Sequence, residues 1–290
     1  MKKYAVINNM TGWLVFAIAS FVYISTTEPT ASWWDCGEYI SASYKMMVGH
    51  EPGAPMFQLL ARFFALFAGD DVTQVAKWIN IMSALASAFT ILFLFWSITH
   101  FGKKLVIGQD DPNADLGKIL AVMGSGIVGG LAYTFSDSFW FSAVEGEVYA
   151  FSSFFTALVF WAVLKWDEED TVNPTSAMRW LVLIAYLMGL SIGVHLLNLL
   201  AIPAICFIYY FKKHKFTWKS FMITGVISLV LLGGIQNIMI PKIVKFAADF
   251  EVFFVNKMGM GFNIGSIFYF LLLFVALSSL ILYTVKKKES

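Results

Sequence analysis

A chain of 290 residues that is 59% hydrophobic and only 13% charged lacks the polar residues to clothe a soluble surface. Its net charge of +1 says nothing about partners, but no basic tract interleaved with polar residues occurs, so nucleic acid is not expected as a partner. Two cysteines far apart, Cys36 and Cys206, argue against a disulfide framework. With mean hydropathy +0.72, the chain reads as an all-α polytopic membrane protein, long enough for several spans of about 20 residues.

Lys2 and Lys3 followed by an apolar run have the outline of a secretory signal. No small-residue cleavage site is visible and many apolar segments follow, so an uncleaved first span over residues 10–26 is expected. A polar-interrupted outer loop, residues 27–77, leads to a second span at 78–101. The next loop, 102–118, carries the turn signal Asp110-Asp111-Pro112-Asn113. Span three, 119–135, holds Ser125, Gly126, Gly129 and Gly130, small residues whose default role in lipid is close helix packing. A loop at 136–147, a fourth span at 148–166 and a loop containing Asp167-Glu168-Glu169-Asp170 and Asn173-Pro174 follow.

The apolar run 180–211 is about twice the length of a minimal crossing. It is one long tilted helix or a hairpin of two. Spans at 221–240 and 264–285 complete the chain before Lys286-Lys287-Lys288. Basic residues arbitrate. With a hairpin there are about eight spans, and 14 of the 20 Lys and Arg residues share the side of both termini, against 6 on the other. A single helix would reverse much of that bias, so the hairpin is expected, with His195 near its outer tip and both termini cytoplasmic. Asp35, Glu145, Glu147 and His195 then meet at one non-cytoplasmic face from three separate loops.

In the first outer loop, Trp33-Trp34-Asp35-Cys36-Gly37-Glu38 opens a short helix expected over 38–48 and ended by Gly49. Asp at an N-cap with Glu three residues on is the pattern of a capping box, which satisfies backbone donors and needs no substrate. The same helix N-terminus holds an aspartate anionic, which suits a base. His50-Glu51-Pro52-Gly53-Ala54-Pro55 forms a rigid turn, with Pro55 opening a helix over 55–68. That helix carries Arg62 and is too short to span, so it is expected to lie along the interface, with Trp33 and Trp34 as headgroup anchors.

Glu145 and Glu147 enter an apolar loop without a basic partner, which demands water, an ion or a role. His195, with Asn198 three residues on, is either a hydrogen-bonded core residue or a donor to a lipid phosphate. No P-loop, His-Glu-x-x-His, Cys-x-x-Cys or Gly-x-Ser-x-Gly motif occurs. Acid spacing specifies no metal.

The segments Trp34-Asp35-Cys36-Gly37-Glu38, His50-Glu51-Pro52-Gly53-Ala54-Pro55, Ala143-Val144-Glu145-Gly146-Glu147-Val148-Tyr149 and Gly193-Val194-His195-Leu196-Leu197-Asn198 together carry a resemblance. They resemble the GT-C superfamily of lipid-dependent glycosyltransferases. The finer resemblance is to a bacterial family related to the animal transmembrane protein O-mannosyltransferases that act on plexin-type receptors. The resemblance implies a single GT-C-like transmembrane domain in a bacterial inner membrane, with its active site on the periplasmic side. It implies inverting transfer of a mannose-like sugar from a polyprenyl-phosphate donor to a Ser or Thr hydroxyl of a protein acceptor. Asp35 would be the catalytic base. Glu38, His50, Arg62, Glu145, Glu147, His195 and Asn198 would bind substrate, with Arg62 and His195 on the phosphate. No metal is assigned, and a divalent ion stays open. Relatives of this kind carry further spans and a soluble C-terminal part, so a fragment, a short relative and a partial core all stay open. A transporter or lipid flippase with a discontinuous helix at His195, and a non-catalytic membrane scaffold, are the alternatives.

Overall fold

The computed structural model describes residues 2–108 and 115–289, with side chains described for residues 3–108 and 115–283. The turn expected at Asp110-Asp111-Pro112-Asn113, and the side chains of Lys286, Lys287 and Lys288, lie outside these. Among the described residues all regular structure is helical, and eight helical segments are long and apolar enough to cross a membrane. The protein is an integral membrane protein of all-α class.

In chain order the helices are α1 (Lys2–Ser25), α2 (Cys36–Lys45), α3 (Pro55–Ala65, continued by a 3-10 turn Leu66–Ala68), α4 (Val75–Gly102) and α5 (Leu116–Thr134). There follow α6 (Asp137–Ala143), α7 (Val148–Val172), α8 (Pro174–Ile192), α9 (Ala201–Lys213), α10 (Trp218–Gly234), α11 (Ile240–Asn256) and α12 (Ile264–Glu289). They form two compact units, one ending at Ile208 and one beginning at Tyr209.

In the first unit α4 is the central helix, with α1, α5 and α7 packed along it. Its apolar all-round composition suits that place, and Ala84, Ala88, Ile91 and Phe95 are fully buried against Val15 and Ala19 of α1 and Val122 of α5. The glycines of α5 pack as expected. A Cβ on Gly126 would fall 2.7 Å from both Phe95 and Thr99, and one on Gly130 would fall 3.3 Å from Val15. Close approach in lipid is driven by such packing, since tails are as apolar as the side chains. The short helix α3 buries Phe57, Ala61 and Ala65 at four-residue spacing and leaves Leu59, Phe63 and Phe67 exposed. The apolar run after α8 is broken as expected: α8 stops at Ile192, residues 193–195 are non-helical, and a 3-10 turn Leu196–Leu200 opens α9.

Several expectations change. The helix after Asp35 ends at Lys45 rather than near Gly49. Met46 takes a left-handed conformation (φ 53°), and the Met47 amide donates to the Ala42 carbonyl, which closes the helix in a Schellman turn. The acids Asp167, Glu168, Glu169 and Asp170 belong to the last turns of α7 rather than to a loop. Lys104 pairs with Asp167 at 2.7 Å and His100 with Glu168 at 3.2 Å across the helices, and Lys165 pairs with Glu168 at 2.8 Å within α7, so the acids are answered without leaving the helix. Residues 137–143, expected as loop, wind into α6.

In the second unit α10 and α11 run on through a π turn, Ile235–Met239, as one helix from Trp218 to Asn256 rather than ending at 240. Pro241 follows that turn, and the widened π geometry lets a proline sit in a continuing helix. The helix α11 packs on α12, where the Glu251 carboxylate accepts the Ser266 amide at 2.9 Å.

Candidate active site

The site is built at the end of the first unit where α1 stops and α4 and α7 start. Two long connections meet there. The Glu28 amide donates to the Val144 carbonyl at 3.1 Å, and Trp140 Nε1 donates to Thr26 Oγ1 at 2.9 Å. Asn80, fully buried in α4, donates from Nδ2 to the carbonyls of Glu28 (2.7 Å) and Thr30 (2.9 Å). Its side chain therefore ties the segment after α1 to the central helix. Gly146 packs against the same residue: a Cβ there would lie 2.8 Å from Asn80 Oδ1 and 3.0 Å from Ile79. Only glycine lets Glu145 and Glu147 flank α4 so closely.

The outcome is a pair of acids at 3% exposure each. Burial pushes the Glu145 carboxyl above the usual carboxylate range, with the Ser32 hydroxyl donating to it in opposition. One oxygen, Oε2, has no hydrogen-bond partner. Glu147 is pushed up to about 7, first by burial and then by the charges of Glu145 and Asp35. The Asp35 backbone amide donates to Glu147 and partly offsets that. Beneath them Cys36 is fully buried, and burial pushes its thiol up.

Asp35, Glu147, His50 and His195 line one cavity of about 120 Å³, together with Tyr39 and Tyr149. The Asp35 side chain is half exposed at its mouth. Its carboxylate lies 3.7 Å from His50 Nε2, and His50 is held from behind by Glu38. Glu38 accepts the His50 amide at 2.7 Å and approaches the ring Nδ1 at 3.1 Å. That amide and that ring hold the Glu38 carboxyl below its ordinary range. The expected capping box is thereby overturned. Asp35 sits in helical backbone geometry after a left-handed Trp34 and makes no side-chain cap, while Glu38 turns to a residue twelve positions away.

His195 caps the 3-10 turn, its Nδ1 accepting the Leu197 amide at 3.2 Å. In the neutral ring that leaves Nε2–H as the donor, and burial lowers the pKa of His195 in the same sense. Its ring stands 5.6 Å from that of Tyr149. The tip carrying it is anchored by the Gly193 carbonyl, which accepts the Met56 amide at 2.7 Å.

Arg62 and Asn198 are not brought to this cavity. Arg62 donates to the Tyr44 carbonyl at 3.0 Å and stacks over the Tyr44 ring, capping α2. Asn198 is fully buried inside the hairpin, donating to Ser191 Oγ at 2.9 Å. Tyr39 was missed as a candidate. Its spacing of four from Asp35 gives it the same helix face, and burial and the Asp35 charge push its phenol up to about 12.

Next to this polar cavity, one turn further along α7 and the start of α9, lies an apolar one of about 660 Å³. Leu197, Leu200 and Ala204 line one wall, and Ser152, Thr156 and Phe160 the other. As donors for a metal, Asp35, Glu38 and His50 bring one atom each to within 4.8 Å of one another. Two carboxylates and an imidazole suit a divalent ion of the manganese or zinc kind, although here His50 already engages Glu38.

Residues 35–218 match the family described as protein O-mannosyl-transferase TMEM260 N-terminal domain. The match begins at Asp35 and contains every residue lining the polar cavity. Among individual proteins, the protein O-mannosyl-transferase tmem260 of Dictyostelium discoideum is 23% identical over 235 residues, covering 76% of this chain and 26% of that one. The mouse protein O-mannosyl-transferase TMEM260 is 26% identical over 179 residues, covering 61% of this chain and 22% of its own. The chain thus spans about a quarter of the length of each of these relatives. No solved structure matches it. On the extent of the family match, the chain belongs to the TMEM260 N-terminal-domain family of protein O-mannosyl-transferases.

Proposed function

We propose that this chain is the membrane-embedded catalytic core of a GT-C-type protein O-mannosyltransferase. It moves a mannose-like sugar from a polyprenyl-phosphate carrier to a Ser or Thr hydroxyl of a protein on the non-cytoplasmic side. The observation that carries this reading is the meeting of Asp35, Glu147 and His195 in one small cavity from three distant segments. The activity for which the family is named and the adjoining apolar cavity, suited to an isoprenoid chain, support it.

The reaction is a single displacement with inversion. The bond from the sugar C1 to the carrier phosphate breaks as a bond from C1 to the acceptor oxygen forms. The hydroxyl proton passes to the Asp35 carboxylate, which stands at the cavity mouth where an acceptor arrives from water. The electron pair of the breaking bond leaves with the phosphate, already a good leaving group, so no strong acid is needed. His195 Nε2–H donates to a phosphate oxygen, and Glu147, protonated for much of the time near neutrality, donates to the phosphate or to a sugar hydroxyl. Glu38 acts as a positioning residue, holding the His50 ring beside Asp35.

Transfer of labelled mannose from a polyprenyl phosphate to a Ser/Thr peptide, with the chain in nanodiscs, tests this. Asp35→Asn is expected to keep expression and helix content while losing transfer by about 10²–10⁴-fold. Undiminished transfer by that variant overturns the role of Asp35.

A further inference from the structure

At the far end of the same helices lies a second polar cavity, of about 520 Å³, between α1 and α7 where both pack on α4. Asn80 and His100 are twenty residues apart on α4, so the two ends are separated by about 30 Å, the thickness of a hydrocarbon core. The family match assigns nothing there, and the proposed transfer chemistry uses none of its residues.

Its lining has an unusual polarity for a site flanked by apolar helices. Lys103 has a cation–π contact to the Tyr4 ring, 5.8 Å from Nζ to centroid, and no carboxylate partner within 4.0 Å among the described residues. His100, with a side chain only 6% exposed, donates from Nδ1 to Glu168, which in the neutral ring leaves Nε2 as an acceptor without a hydrogen-bond partner. The Asn8 Oδ1 is buried and also unpartnered. The cavity's one acid, Glu168, is held by both Lys165 and His100, so its charge is answered within the wall. Among the described residues, the uncompensated charge facing the cavity is that of Lys103, which is positive. Buried unpaired polar groups cost free energy unless something fills the space between them.

A second feature says what kind of anion fits. Trp96 and Trp161 stand in the cavity wall with ring centroids 5.8 Å apart. From Trp161 an unbroken chain of ring contacts runs through Phe93 (5.2 Å), Phe154 (6.1 Å) and Phe89 (6.1 Å) to Phe16 (4.6 Å). These rings lie along the cleft between α1 and α7, partly exposed, in the direction of the bilayer centre. A soluble phosphate would use the polar end alone, whereas a phospholipid would use both.

We propose that this cleft is a binding site for an anionic phospholipid, its phosphate on Lys103, a headgroup hydroxyl donating toward the open acceptors His100 Nε2 and Asn8 Oδ1, and one acyl chain along the aromatic strip. A basic pocket between transmembrane helices is the chemistry that selects anionic headgroups. The site stands independently of the mannosyltransferase reading, since it shares no residue with the Asp35 cavity.

Native mass spectrometry of the detergent-solubilised full chain, offered phosphatidylglycerol or phosphatidylcholine, tests it. Wild type is expected to retain phosphatidylglycerol about fivefold better. Lys103→Gln removes that preference, while Lys118→Gln, an exposed lysine outside the cavity, preserves it. Quenching of tryptophan fluorescence by phosphatidylglycerol brominated in its acyl chain should fall in Trp161→Phe. Equal retention of the two lipids by wild type overturns the proposal. So does an equal loss in Lys118→Gln, which indicates diffuse surface charge. Retention of inorganic phosphate with no preference among lipids assigns the pocket to a soluble phosphate and overturns it too.

Discussion

Glu147 joins burial, pH and chemistry in one side chain. Its carboxyl is pushed up to about 7 from an ordinary 4.5, chiefly by burial, so the folded protein binds its proton more tightly than the unfolded chain does. The stabilisation is fully present below about pH 4.5 and is lost as pH rises through about 7. Glu145 is shifted in the same direction and adds to the slope. Thermal melts in detergent between about pH 5 and pH 8 should therefore show wild type losing stability with rising pH. Glu147→Gln should flatten that slope in part and exceed wild type above pH 7, by up to about 3 kcal/mol. An unchanged slope would mean that the carboxyl is hydrated and ordinary. At this scale the sequence was readable for position and unreadable for environment. Basic residues alone brought Asp35, Glu145, Glu147 and His195 to one face, because charge bias depends on counting rather than on contacts. The partner of Glu38 was hidden, since nothing local signals that a carboxylate will choose His50 over the amides of its own helix. Arg62 looked like a phosphate clamp for the same reason, its carbonyl partner Tyr44 being eighteen residues away.

Elements were legible where hydrophobicity decides them and illegible where pairing does. The eight apolar segments and the break at residues 193–195 follow from length, apolar content and charge bias. The acids at the end of α7 misled because a charge cluster reads as loop, while Lys104, His100 and Lys165 neutralise it inside the helix. Helix α6 was missed because seven residues carry too little periodicity. The glycines give this scale its test. A Cβ on Gly146 meets Asn80 Oδ1 at 2.8 Å, whereas one on Gly124 meets nothing within 4 Å. Gly146→Ala should lower stability by about 1–3 kcal/mol through overpacking, and disturb the seat of both buried acids. Gly124→Ala should be neutral or stabilising by up to about 1 kcal/mol, as expected for an open helical site. Equal melting temperatures for the two variants would refute close packing of the 145–147 segment on α4.

Across the whole molecule, the polar cavity with Asp35 and the basic cleft with Lys103 occupy opposite ends of α1, α4 and α7. Each end therefore meets a different aqueous phase, and their orientation decides which substrates arrive. Within the first unit Lys3, Lys103, Lys104, Lys118, Lys165 and Arg179 gather at the cleft end, against Lys45, Arg62 and Lys77 at the Asp35 end. Basic residues are retained on the cytoplasmic side during insertion, so the proposed reaction expects Asp35 outside, where an exported protein acceptor would be found. Cysteine accessibility settles the direction. Asp70, exposed between α3 and α4, and Thr175, exposed at the turn between α7 and α8, lie at the two ends. Each is replaced by cysteine in a Cys206→Ser background, Cys36 being fully buried, with the parent chain as the blank. A membrane-impermeant maleimide should label Asp70→Cys in intact spheroplasts and Thr175→Cys only after lysis. The reverse pattern would turn the Asp35 cavity toward the cytoplasm. It would then remove the acceptor side of the proposed reaction, and it would move the anionic-lipid cleft to the other leaflet without abolishing it.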